Sequence, residues 1–267
     1  MELLIQIIFA LAITIGIYKT LQHSVDSVGE DVSSQFRKIS LSFYKLDSNQ
    51  LEILKTSFGS YMNSLSHEEK LIFGQKVAKF IKSKTFIDRG GMAEVLTHQK
   101  VLVAACAIQV TFGFPDIFLR HYKRVLLYPT RYGTTEVGLH QNEHENLRET
   151  LVLSRDNFLK DYTGTRNLGL YEMAHALVYQ NYLGNKEYNF LSDESLNDLK
   201  HLMGVYKLNL EHPVYQLLGI NALENIYEFF AIAVETFFER PQILRESTPE
   251  LHMYIARILR QNLSQSK

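Results

Sequence analysis

The chain has 267 residues, 46% of them hydrophobic and 21% charged, enough for one large domain or two small ones with a proper core. Lys and Arg number 28 against 29 Asp and Glu, and the formal net charge of -1 excludes a broadly electropositive nucleic-acid surface, so no nucleic-acid partner is expected. The single cysteine, Cys106, excludes an intramolecular disulfide framework and reads as a small buried hydrophobe in the run VLVAACAI.

Residues 3–18, LLIQIIFALAITIGIY, are almost uniformly apolar, at the short end of the about 20 residues that a bilayer-spanning helix needs. No small-x-small cleavage site follows, and Glu2 stands where a signal peptide carries a basic residue. Residues 1–20 are therefore expected to form an uncleaved N-terminal transmembrane anchor, in preference to a cleaved signal or a docking helix. Lys19, Arg37 and Lys38 all follow the run, which places the bulk of the chain in the cytoplasm by the positive-inside rule. Residues 24–40 mix serine with both charges and show no sustained apolar face. The expected organisation is anchor 1–20, linker 21–45 and a folded domain over 46–267.

Within that domain, Asp47 with Gln50 marks a helix start, followed at helical spacing by Leu51, Leu54, Phe58 and Tyr61. Ser66 with Glu69 has the form of a capping box. The helix after it should bury Leu71, Phe73, Val77, Phe80 and Ile81, leaving Lys70, Lys76, Lys79, Lys82 and Lys84 on a wet face. Gly90-Gly91 marks a turn, and residues 97–113 read as a helix apolar all round, hence buried and central. Residues 125–128 and 149–153 read as short strands. His140 and His144 lie between them in a polar segment with no third ligand, and read as exposed loop histidines rather than a metal site.

Further helices are expected over 167 to about 182, over 195–210, over 221–239 and over 250–262. The third is read as one long amphipathic helix ended by Arg240-Pro241, with Glu224, Glu228 and Glu235 on a shared face. There is no internal repeat and no glycine-rich phosphate loop. The fold class is α+β, mostly helical, with a small sheet and an N-terminal apolar helix.

The stretch that carries chemistry is residues 167–179, NLGLYEMAHALVY. In an HExxH helix two histidines one turn apart hold zinc, while the glutamate beside the first activates the zinc-bound water. Here residues 171–175 read YEMAH, so the base and one ligand are kept and a phenol occupies the other ligand position. Glu-x-x-His alone is a weak motif and needs context. That context is a later helix bearing Glu228, the layout of a gluzincin, in which a second helix supplies the third ligand.

Several blocks within residues 65–241 also carry a family resemblance: FGQKVAKFIKSKTFI, VLVAACAIQVTFGF, RVLLYP, ETLVLSRDNF, NLGLYEMAHAL and EFFAIAVETFFERP. The chain resembles the glucose-regulated zinc metallopeptidases typified by Mlc titration factor A, which read HEFAH and EFFAVxxExFF at the last two blocks. The resemblance implies a zincin-like fold with the strand at 151–153 beside a substrate cleft. It also implies zinc as cofactor, aminopeptidase-like activity on small substrates, and binding of a transcriptional repressor of sugar uptake.

Carried over by position, the resemblance makes Glu172 the general base, His175 the second zinc ligand and Glu228 the third, with Glu235 an acid behind them. Two positions depart. Tyr171 stands where the family has its first zinc histidine, and Asn221 stands where it has a tyrosine that helps stabilise the transition state. A neutral phenol is a poor zinc ligand unless the metal drives its ionisation. Loss of a donor that stabilises developing charge typically costs about 100- to 1000-fold in rate. The leading expectation is thus a membrane-tethered homologue with an impaired site, which receives a peptide or protein partner and has a binding or regulatory role. The alternative is an active or weakly active zinc peptidase using Glu172, His175, Glu228 and Tyr171. A third reading leaves Glu172, His175 and Glu228 merely hydrogen-bonded to each other in the core.

Overall fold

The computed structural model describes residues 40–92, 94–115, 119–129, 149–155, 167–182 and 191–263. The chain divides into two units, 1–44 and 45–267, and all the elements below belong to the second. The expected anchor, most of the linker, and His140 and His144 lie outside the described residues. Among the described residues no helix is long and apolar enough to cross a membrane.

Two reciprocal capping boxes start the fold. Helix α1 (Ser48–Ser64) is entered at Asp47, whose Oδ1 accepts the Gln50 N–H at 2.8 Å while Gln50 Oε1 accepts the Asp47 N–H at 3.1 Å. Helix α2 (His67–Ser83) repeats the device with Ser66 and Glu69. Their buried faces follow the expected spacing through Leu54, Phe58, Tyr61, Phe73, Val77 and Phe80.

Two positions on α2 differ from the sequence expectation. Leu71 is 60% exposed, because two residues before Phe73 it points about 200° round the helix from it. Lys76 is only 5% exposed: it lies three residues after Phe73 and four before Phe80, so it falls on the buried face. Its Nζ donates to the Phe112 and Phe114 carbonyls at 3.2 and 2.9 Å, satisfying acceptors at the end of the next helix. Lys84 is also half-buried, donating to the Leu119 and Tyr122 carbonyls. The lysine run is therefore only partly a wet face.

That next helix, α3 (Thr97–Thr111), is buried on all sides, as its all-round apolarity requires, and packs against α1, α2 and the helix of the YEMAH string. The chain also forms a three-stranded parallel sheet ordered β1 (Thr85–Asp88), β2 (Arg124–Tyr128), β3 (Thr150–Ser154). The register sets Val125 against Leu151 and Leu127 against Leu153, and all four side chains enter the common core. Strand β1 is absent from the sequence expectation because its four residues follow α2 with no turn signal between, and β3 begins one residue later than expected.

Helix α4 (Leu168–Tyr182) carries YEMAH, and α5 (Asp193–Lys207) follows from a Ser192 cap. A short helix α6 (Pro213–Leu218) ends at Gly219, whose φ of 85° is open to glycine at little cost. The segment expected as one helix over 221–239 is two pieces, a 3₁₀ turn (Ile220–Leu223) and helix α7 (Ile226–Glu239). The break is Asn225, extended at φ -144° and ψ 163°, whose Oδ1 accepts the N–H groups of Tyr227 and Glu228 at 3.0 and 2.9 Å. Glu224 is thereby left outside α7 and exposed, and does not share a helix face with Glu228 and Glu235. Pro241 ends α7 but also opens α8 (Pro241–Ser247), which is followed by α9 (Pro249–Leu259). Gly113, just after α3, approaches the Leu259 and Arg260 carbonyls so closely that no Cβ fits between.

Candidate functional site

Helix α4 is entered at Asn167, whose Oδ1 accepts the Leu170 N–H at 3.2 Å. Tyr171 and His175 are four residues apart and so lie on one face, their rings edge-on with centroids 4.6 Å apart and planes at 77°. Tyr171 is 6% exposed, and Glu172, on the adjacent face, is half-buried.

Helix α7 lies against this face, and among the described residues α4 and α7 form the most extensive helix pair. The Asn225 cap sets Glu228 in the first turn of α7, where the N-terminal end of the helix dipole favours a carboxylate. Tyr171 donates its hydroxyl to Glu228 Oε2 at 2.8 Å. His175 Nε2 stands 3.3 Å from Glu228 Oε1, close enough for the charges to interact but too poorly aligned for a hydrogen bond. This nitrogen is buried and has no hydrogen-bond partner among the described residues. A phenol, a carboxylate and an imidazole thus converge from two helices.

A second joint holds the same pair of helices. Glu235, two turns along α7 and only 2% exposed, accepts the Asn167 N–H through Oε1 at 2.8 Å. Asn167 in turn donates through Nδ2 to Glu239 Oε1 at 2.8 Å. Asn167 pairs with Glu235, and Tyr171 and His175 pair with the earlier Glu228, so the helices run antiparallel at this contact. Glu239 is exposed overall, yet partial desolvation of its carboxyl raises its pKa; the Asn167 bond opposes this and the Glu235 charge adds to it. Cys106 on α3, 4.0 Å from Asn167 Oδ1, is fully buried, and that burial, with a smaller effect of Glu239, pushes its thiol up.

The structure therefore brings together Tyr171, His175 and Glu228 from the sequence-derived set. It places Glu235 behind them on the helix entrance and leaves Asn221 exposed on the 3₁₀ turn before the Asn225 break. Sequence reasoning placed Asn167 at the entrance of the helix but missed its bonds to Glu235 and Glu239, and missed the Asn225 cap. The two asparagines had a readable signal, since each immediately precedes a strongly apolar helical run.

A catalytic zinc takes three protein ligands, ordinarily imidazole, carboxylate or thiolate, and a water. Among the described residues no group of three His, Cys, Asp or Glu side chains is arranged to hold a metal. Here the third donor is a phenol that spends its proton on Glu228, so the residues do not fit the zinc set of an ordinary peptidase.

Two antiparallel helices thus bring an imidazole and a carboxylate together beside a half-buried glutamate. The chain belongs to the glucose-regulated metallo-peptidase M90 family, which it matches over residues 33–260. The match extends the local blocks seen in the sequence across nearly the whole described region. No curated protein sequence matches the chain.

Proposed function

We propose that the chain is a zincin-like, membrane-tethered member of the M90 family whose peptidase site is impaired, and that it acts as a binding or regulatory module. The observation that carries this reading is the hydrogen bond from Tyr171 to Glu228: the side chain at the first ligand position engages the carboxylate that would be the third ligand. Asn221, in place of a transition-state donor, supports it from a second position. The partner is a peptide or protein segment received in the family cleft, and the family resemblance points to a transcriptional regulator. Tethering rests on the apolar run 3–18, with the bulk of the chain on the cytoplasmic side.

One observation favours a second reading, in which zinc is still held and hydrolysis is weak. Among the described residues His175 Nε2 is buried without a hydrogen-bond partner, as a ligand nitrogen would be. Elemental analysis and peptide hydrolysis by the full-length chain and its Tyr171→His variant separate the two. Zinc gained only by the variant supports the impaired site. Stoichiometric zinc with hydrolysis in the unaltered chain overturns it. Fractionation of a tagged chain tests the tether, and recovery in the soluble fraction would remove it.

A further inference from the structure

We propose that the Tyr171, His175 and Glu228 cluster binds a ferric ion, a hard trivalent metal, in place of zinc. This inference rests on the reading that the zinc peptidase site is impaired, and it names what the altered site takes instead.

The first ground is an unanswered donor. The His175 side chain is 10% exposed, its Nε2 has no hydrogen-bond partner among the described residues, and it faces Glu228 Oε1 at 3.3 Å. A buried imidazole nitrogen left in that state costs free energy unless something completes it. A metal held by that nitrogen and the adjacent carboxylate would do so.

The second ground is spacing. Two donors each about 2.0–2.2 Å from one metal, at about 90–110° to each other, are about 2.8–3.6 Å apart. Tyr171 Oη to Glu228 Oε2 is 2.8 Å, and His175 Nε2 to Glu228 Oε1 is 3.3 Å. Both separations fall within that range and run to different oxygens of Glu228, so the carboxylate would take the ion through both oxygens, and the Asn167 to Glu235 joint holds the two helices that set them.

The third ground is the donor set. Exchanging an imidazole for a phenol replaces a neutral nitrogen with an oxygen that becomes anionic on coordination, giving two anionic oxygens and one nitrogen. Hard oxygen donors favour hard ions, and each anion gains more from a trivalent charge than from a divalent one. As the metal–oxygen bond forms, the Tyr171 hydroxyl proton passes to solvent and its hydrogen bond to Glu228 is given up. Neutral His175 supplies its lone pair, and no electron is transferred.

The test uses the full-length, metal-free chain titrated with ferric nitrilotriacetate at neutral pH. A phenolate bound to ferric iron produces a charge-transfer band in the visible, a signature that no packing role of tyrosine generates. One ferric ion per chain with that band is the expected result. Tyr171→Phe, which keeps the ring packing on His175, should abolish the band, and Glu228→Gln should weaken iron binding by more than about tenfold. Tyr171→His should lose the band and gain zinc, which shows that the variant chain still folds around the site. No visible band in the unaltered chain, or a band that survives Tyr171→Phe, overturns the proposal. A chain that binds no metal sinks this inference but leaves the impaired-site reading standing, whereas stoichiometric zinc with hydrolysis sinks both.

Discussion

Tyr171 donates to Glu228 at 2.8 Å across the seam between α4 and α7, so the phenol four residues before His175 engages the opposing carboxylate. The phenol ties the two helices directly.

That bond should be visible in stability. Tyr171→Phe keeps the ring and removes only the hydroxyl from a bond to a carboxylate, which should cost about 1–2 kcal/mol, at the low end for a charged partner because Glu228 is partly exposed. Urea denaturation of the two proteins measures it, with an unchanged m-value. An unchanged midpoint would show that the bond contributes nothing to folding.

The Glu235 to Asn167 joint separates acceptor from charge. Glu235→Gln retains an oxygen for the Asn167 N–H and should cost less than about 1 kcal/mol, whereas Glu235→Leu strands that buried donor and should cost about 2–3 kcal/mol. Equal losses in the two variants would assign the effect to charge or to packing instead.

Lys76 serves the core rather than the surface. Lys76→Met preserves the stem but removes both donors to the Phe112 and Phe114 carbonyls, and should destabilise by about 2–3 kcal/mol. The same change at Lys82, which is exposed, should stay within about 0.5 kcal/mol. Thermal melts of both variants make the comparison.

Glu239 predicts a pH dependence. Its folded pKa lies above the ordinary carboxylate value, so between the unfolded pKa, near about 4.3, and its raised folded value the folded state holds more protons than the unfolded state. Stability from this group is therefore present at low pH and lost as pH rises through that window. Melting temperatures of Glu239→Gln and the unaltered chain, compared from acid to neutral pH, should diverge in favour of the variant as pH rises. A difference that does not vary with pH would contradict the assignment.

Much of this was legible beforehand, for identifiable reasons. The capping boxes at Asp47 and Ser66 are local chemistry and appear where sequence places them. The uniform apolarity of α3 leaves it no wet face, and its burial follows. The convergence of His175 and Glu228 came from a motif spacing joined to a family pattern, and the helices do bring them together. The failures were tertiary. Lys76 reads as solvent-facing because lysine usually is, and only the carbonyl ends of α3 explain its burial. The break at Asn225 was hidden because apolar spacing continues across it, while the cap that causes it depends on one asparagine side chain. Strand β1 is stabilised by pairing with β2 over residues distant in sequence, which no local pattern records.

The joint between Asn167 and Glu235 lies about 10 Å along α7 from Glu228, at the rise of an α-helix. The spacing of the two helices at Tyr171 and His175 is accordingly held by a clamp outside the cluster, in the manner of a caliper fixed at its hinge. Any ligand of the cluster would therefore meet a donor spacing fixed elsewhere in the fold, and one of the wrong radius would strain two buried helices rather than a single side chain.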